Sequence, residues 1–167
     1  SKIAASTGTI ENNGQINVNG KYSIGMYGVG NGTTVTNNNN IVLNADNTIG
    51  VYVEEGAKAV NNGIIRTGAS GLSNVTGVVL GRNSTLENNN TINIDSASGA
   101  GVYLKGGTII NRGNIHVSGV GSNEVYEMNS DPTTKRMGDV TIDAPAGSPT
   151  AKIIVRGKGE VQPVLIT

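Results

Sequence analysis

Apolar and polar residues alternate in short bursts along this chain, and each burst follows an Asn-rich stretch. NNGQINV (12–18), NNNNIVL (37–43), NNGIIRT (61–67), NNNTINI (88–94) and NRGNIHV (111–117) share this form, and RMGDVTI (136–142) is a degenerate sixth copy. The anchoring apolar residues are Ile16, Ile41, Ile65, Ile92, Ile115 and Val140, separated by 25, 24, 27, 23 and 25 residues. A steady spacing in this range is the mark of a solenoid or array.

Two further runs ride on the same period. YSIGMYG, TIGVYV, VTGVVL and AGVYL align on Gly25, Gly50, Gly77 and Gly101. GTIEN, TTVTN, KAVN, TLEN and TIIN end at Asn12, Asn37, Asn61, Asn88 and Asn111. Each repeat thus holds three short, β-branched runs with a two-residue period, which predicts strands, and no window carries a 3.6-residue apolar stripe. Three strands in ~25 residues are too few for a propeller blade. They fit one triangular turn of a parallel β-helix. The expected fold is therefore all-β, a right-handed parallel β-helix of about six three-strand coils. Coils stacked at ~4.8 Å make a rod of roughly 24 Å.

Alternation assigns the faces. In the strand after each Asn-rich turn, the anchors and the column Val18, Leu43, Thr67, Ile94, Val117, Ile142 are expected to point inward. Asn17, Val42, Arg66, Asn93, His116 and Thr141 then point outward. In the Gly-containing strand, Ile24, Ile49, Thr76, Ala100 and Met26, Val51, Val78, Val102 are expected inward. Gly25, Gly50, Gly77, Gly101 and Tyr27, Tyr52, Val79, Tyr103 are expected outward. Asn12, Asn37, Asn61, Asn88 and Asn111 read as coil corners, because Asn tolerates left-handed backbone and stacked amides bond from coil to coil.

The pattern loosens after Val117. GVGSNEVYEMNSDPTTKRMG (119–138) keeps the length of a coil but gathers charge and an Asp-Pro turn. A protruding loop is expected here, with Glu124, Tyr126, Glu127 and Asp131 as candidate functional residues, although Val125 and Tyr126 also suit a continued strand. The organisation is one unit over 1–167, with regular coils at 8–118, a looped coil at 119–143 and an irregular end coil at 144–167.

Composition agrees with a thin aliphatic core. The chain has 167 residues, 3% aromatics and neither Trp nor Phe. Lys+Arg and Asp+Glu are 12 each, so the charge lacks the basic bias of a nucleic-acid or membrane-surface binder. Cysteine is absent, which removes disulfides and thiolate chemistry. No apolar run approaches the ~20 residues of a membrane-spanning helix. The chain starts and stops in mid-pattern, as an excised piece of a longer protein would.

The form N-N-G-x-I-x-V followed by I-G-V-Y resembles the passenger domains of autotransporters, the type V secreted proteins of Gram-negative bacteria, and especially long, repeat-rich adhesins. The resemblance covers residues 8 to about 143. It implies a right-handed β-helix, export through a C-terminal outer-membrane barrel and display at the cell surface. It brings no catalytic residues. The partner it implies is an unidentified host-cell or bacterial surface protein or glycan, with no nucleic acid, and with membrane contact only through the barrel.

Candidate chemistry is sparse. His116 is the single histidine and reads as a solvated face residue, because Asn93 and Thr141 beside it are poor zinc ligands. GASG (68–71) invites a serine-nucleophile reading, but the only base is about two coils away. Carboxylates are scattered, whereas glycoside cleavage needs two within ~5–9.5 Å. No metal and no cofactor is expected. The outward Gly/Tyr face, with Tyr27, Tyr52, Tyr103, Gly25, Gly50 and Gly101, is the candidate binding surface. The expected function is a non-catalytic, surface-displayed stalk that presents a binding surface. The alternative is a carbohydrate-active β-helix enzyme of the pectate-lyase kind, or a sugar-binding module.

Overall fold

The computed structural model describes residues 7–128, 135–137 and 154–156. The chain winds as a parallel β-helix of about five turns, close to the six expected. The first coil holds β1 (Thr9–Asn12), β2 (Gln15–Val18) and β3 (Ile24–Val29). The second holds β4 (Thr34–Asn37), β5 (Asn40–Leu43) and β6 (Ile49–Glu54), and the third β7 (Lys58–Asn61), β8 (Ile64–Thr67) and β9 (Thr76–Leu80). Then come β10 (Thr85–Asn88), β11 (Thr91–Asp95), β12 (Ala100–Leu104), followed by β13 (Thr108–Asn111), β14 (Asn114–Ser118), β15 (Asn123–Met128). Finally β16 (Lys135–Met137) pairs with β13, and β17 (Ile154–Arg156) with β15. Every third strand joins the same sheet: β1-β4-β7-β10-β13-β16 form sheet A, β2-β5-β8-β11-β14 sheet B, and β3-β6-β9-β12-β15-β17 sheet C. The sixth strand expected for sheet B, at Val140 and Ile142, lies outside the described residues.

The register is the one the repeat spacing requires. Ile16 pairs with Ile41, Ile41 with Ile65, Ile65 with Ile92 and Ile92 with Ile115. Ile41, Ile65, Ile92 and Ile115 are fully buried, with Leu43, Ile94 and Val117 in the next inward column. Sheet A adds Val35, Ala59, Leu86 and Ile109, and sheet C adds Met26, Val51, Val78, Val102 and Val125. The core is thus a stack of aliphatic layers along the axis. Burying such side chains is worth about 1.5–3 kcal/mol each, and the gain repeats with every coil.

The Asn corners form ladders, but not through left-handed backbone. Asn12, Asn37, Asn61, Asn88 and Asn111 are buried, and each amide Nδ2 donates to the Oδ1 of the next at 2.8–2.9 Å. The second Nδ2 hydrogen is taken by backbone carbonyls at the start of sheet B, such as Thr91 O at 3.1 Å from Asn61 and Asn114 O at 3.2 Å from Asn88. One residue along, Asn38, Asn62 and Asn89 form an exposed ladder that runs the other way, each donating to the coil below. The amide dipoles of the two ladders therefore oppose each other.

Positive φ falls instead at the other two corners, and the bend from sheet C to sheet A carries it at Gly30, Glu55, Gly56, Asn83 and Gly107. Tyr22 (61°), Asn47 (57°), Asn74 (57°), Ser98 (50°) and Gly121 (74°) each stand two residues before a strand of sheet C. The sharp bend from sheet B to sheet C needs at least one left-handed residue per coil, with Gly71 and Gly119 adding a second in two coils, and Asn and Gly meet it at low cost.

One face assignment is reversed. Gly25, Gly50, Gly77 and Gly101 do not lie on the outer surface. A Cβ on Gly50 would come within 2.6 Å of Gly77 O and 2.7 Å of Ile65 Cγ2, and Gly77 and Gly101 meet the same obstruction from Ile92 and Ile115. These glycines face the interior, where the corner leaves no room for a side chain. The residue before each is turned away from the core: Ile24 is 42% exposed, and Ile49 and Thr76 are half-buried, while Ala100 is small and buried. Alternation fails at the glycine because two consecutive residues, Gly25 and Met26 for example, both face the axis.

Candidate functional site

Removing the glycines leaves the tyrosines as the outer face of sheet C. Tyr27 pairs with Tyr52, and their rings lie 5.4 Å apart, tilted by 55°. Tyr103 pairs with Tyr126, and these rings stack at 5.4 Å and 24°. Val79 interrupts the column, and Lys105 spans the gap. Its Nζ sits 5.4 Å from the Tyr52 ring centre, 6.0 Å from that of Tyr103 and 3.2 Å from the Tyr52 hydroxyl. Cation–π attraction of this kind joins the two tyrosine pairs across Val79, which is buried beneath.

Glu54 closes the lower end. Tyr27 donates its hydroxyl proton to Glu54 Oε1, and Tyr52 donates to Oε2 at 3.4 Å. The bond to Glu54, with lesser help from burial, pushes the Tyr27 phenol up to about 12. Burial also raises Tyr103, against an opposing pull from Lys105. Much of the polar capacity of this face is therefore spent within the coil stack. Its rings brace neighbouring coils, and a hollow lies at its edge. That hollow, about 310 Å³, is bounded by Tyr103, Tyr126, Asn74, Ser98, Gly121 and Asn123 among others.

The expected loop beyond residue 119 is a strand at its start. Residues Asn123–Met128 form β15 and stack on β12, so Glu124, Tyr126 and Glu127 belong to sheet C, with Glu127 opposite Leu104. Glu124 occupies the inward corner position that glycine fills in the four coils below. It is fully buried, and neither carboxylate oxygen has a hydrogen-bond partner. Burial holds its carboxyl above the usual carboxylate range, against weaker opposing pulls from its own backbone N–H and then from His116. A buried acid, not an exposed one, is what the sequence concealed. Asp131 lies outside the described residues.

A second surface went unrecognised in the sequence. The outward column of sheet B places Arg66, Asn93 and His116 in register on three successive coils. Beside it run Thr67, Asp95 and Ser118. Ser118 Oγ donates to Asp95 Oδ1 at 3.0 Å, and Thr67 Oγ1 accepts from Asp95 N–H at 3.0 Å. The 27-residue interval from Ile65 to Ile92 is the longest in the array, and the chain at Gly68, Ala69 and Ser70 bulges outward to make a wall. Leu72 then returns to the core. The wall is seated on Val42, an outward-facing valine that is nonetheless buried; a Cβ on Gly68 would lie 2.3 Å from Val42 Cγ1. Column and wall flank an open, polar depression of about 470 Å³. The signals were present in the length of that interval and in an apolar residue on a polar column.

No family model, curated protein or solved structure matches this chain. Its chemistry is therefore read from these surfaces. Among the described residues, no group of three or more His, Cys, Asp or Glu is placed to hold a metal ion. No helix among them is long and apolar enough to cross a membrane. The depression on sheet B brings Ser70 and His116 to one place, with Asp95 as the carboxylate that shares it.

Proposed function

We propose that this chain is a rigid, non-catalytic segment of a surface-displayed bacterial protein of the autotransporter adhesin kind, holding a binding surface away from the outer membrane. The observation that carries this reading is the unbroken register of three sheets locked by a buried Asn ladder. Such a rod has no hinge between coils, and each added coil extends it by ~4.8 Å. Its outer faces carry the variable chemistry, and its interior repeats. The partner is a protein or glycan on a host or bacterial surface.

The test compares bacteria displaying the segment on an anchor with bacteria displaying the anchor alone. The segment is expected to raise attachment to a target cell, and the purified chain is expected to release no products from polysaccharides. Equal attachment by both strains, or product release, overturns the reading. A second reading, a sugar-binding module, is favoured by the polar depression on sheet B.

A further inference from the structure

We infer that the depression on sheet B binds an acidic saccharide, one carboxylated sugar residue within a glycan that runs along the rod. This rests on the sugar-binding reading and specifies its ligand. The depression follows the helix axis, since Arg66, Asn93 and His116 succeed one another coil by coil. The span from the first to the third is about 10 Å, set by the strand spacing. An extended polymer laid parallel to the axis meets all three.

The chemistry of the lining chooses the class. It contains no Tyr, Phe or Trp ring and no large aliphatic side chain, the His116 imidazole being its one ring, so an apolar ligand finds little purchase. Arg66 is exposed and has five N–H donors, one of which goes to Thr67 O at 3.2 Å. The remaining fork matches a carboxylate in bidentate fashion. Asp95 sits one coil above. It repels a phosphate dianion about twice as strongly as a singly charged carboxylate at the same distance, and it accepts from sugar hydroxyls. Asn93 and Ser70 can each donate and accept, and Ser118, whose proton goes to Asp95, accepts, as a ring of hydroxyls requires. One cation for the carboxylate and one anion among neutral polar groups for the hydroxyls describe a singly charged sugar acid.

The wall is structural, not incidental. Val42 under Gly68 fixes the bulge against the coil below, so the depression exists before any ligand arrives. A preformed site binds without the cost of ordering a loop.

The experiment is an amide-resolved NMR titration of the chain with a galacturonate trimer, its neutral galactose counterpart and inorganic phosphate, each for the native chain and for Arg66→Gln. The expected result is affinity for the acidic trimer about tenfold above the neutral one, with shifts confined to residues 66, 93–95 and 116–118. Arg66→Gln is expected to erase that preference while leaving the thermal melt unchanged, since Arg66 is on the surface. Equal binding of both trimers at this place overturns the acidic preference and leaves the sugar-binding reading standing. Binding of neither trimer overturns both. Phosphate binding as tightly as the acidic trimer, or shifts centred on the tyrosines of sheet C, also overturns the inference.

Discussion

Asn61 and Asn88 stand one directly above the other inside the corner between sheets A and B, and the Asn61 amide donates to the Asn88 amide oxygen at 2.8 Å. Asn61 also accepts from Asn37 at 2.9 Å and donates to Thr91 O at 3.1 Å. One side chain thus joins three coils. Asn61→Ala strands the Asn37 donor on the coil below and the Asn88 acceptor on the coil above, both buried, and should cost about 3 kcal/mol. Asn62→Ala, in the exposed ladder, should cost under about 1 kcal/mol because water replaces its partners. Urea unfolding of the two variants checks the contrast, and equal losses would show that the buried ladder has no special weight.

Gly77→Ala should destabilise by about 1–3 kcal/mol through overpacking. The added methyl would lie 2.6 Å from both Gly101 O and Ile92 Cγ2. An outward glycine would tolerate the same change, so the melting temperature of this one variant separates the two orientations.

Tyr22 holds a left-handed φ of 61° with its side chain 81% exposed, so strain is not offset by burial. Asn stands at the equivalent place in the next two coils. Tyr22→Asn is expected to stabilise the first coil by about 0.5–1 kcal/mol. Hydrogen exchange of β3 amides reports it, and faster exchange would contradict it.

Glu124 should make stability depend on pH. Its folded carboxyl titrates above the ordinary value of 4.5 because burial disfavours the charge. The associated stability is fully present while the acid is protonated in both states, and it is lost as pH rises through the raised folded value. Asp46 acts in the opposite sense: the Ser73 N–H, and then Lys21, hold its carboxyl low, so its contribution is lost as pH falls. Comparing Glu124→Gln with the native chain isolates the first effect. The variant should gain stability relative to the native chain as pH rises above the ordinary carboxyl value of 4.5, where the unfolded chain ionises and the buried Glu124 resists doing so. Parallel pH curves would contradict a buried, partnerless carboxyl.

Much of the fold was legible because a solenoid converts sequence spacing into register. A side chain at Ile41 has Ile65 above it for no reason beyond the 24 residues between them. The same logic found the tyrosine column and the Asn ladder. It failed where the backbone bends. Strict alternation holds only along a straight strand, and at the corner before sheet C the glycine is turned to the axis while Ile24 is turned away.

It failed again where coils differ from one another. Val42 on a polar column and the long third interval were visible, but neither indicated that one roofed the other. Glu124 stood in a stretch rich in charge, and composition argued for solvent, yet stacking on Gly101 carried it inside.

The sequence by itself determined the period, the parallel stacking and the layers of the core, since burial of aliphatic residues at a fixed repeat admits one winding. The tertiary structure decided which corners need left-handed backbone, which way the glycines face and which outward residues share a hollow. Those depend on how closely neighbouring coils approach at each bend, a distance that one-dimensional spacing does not carry.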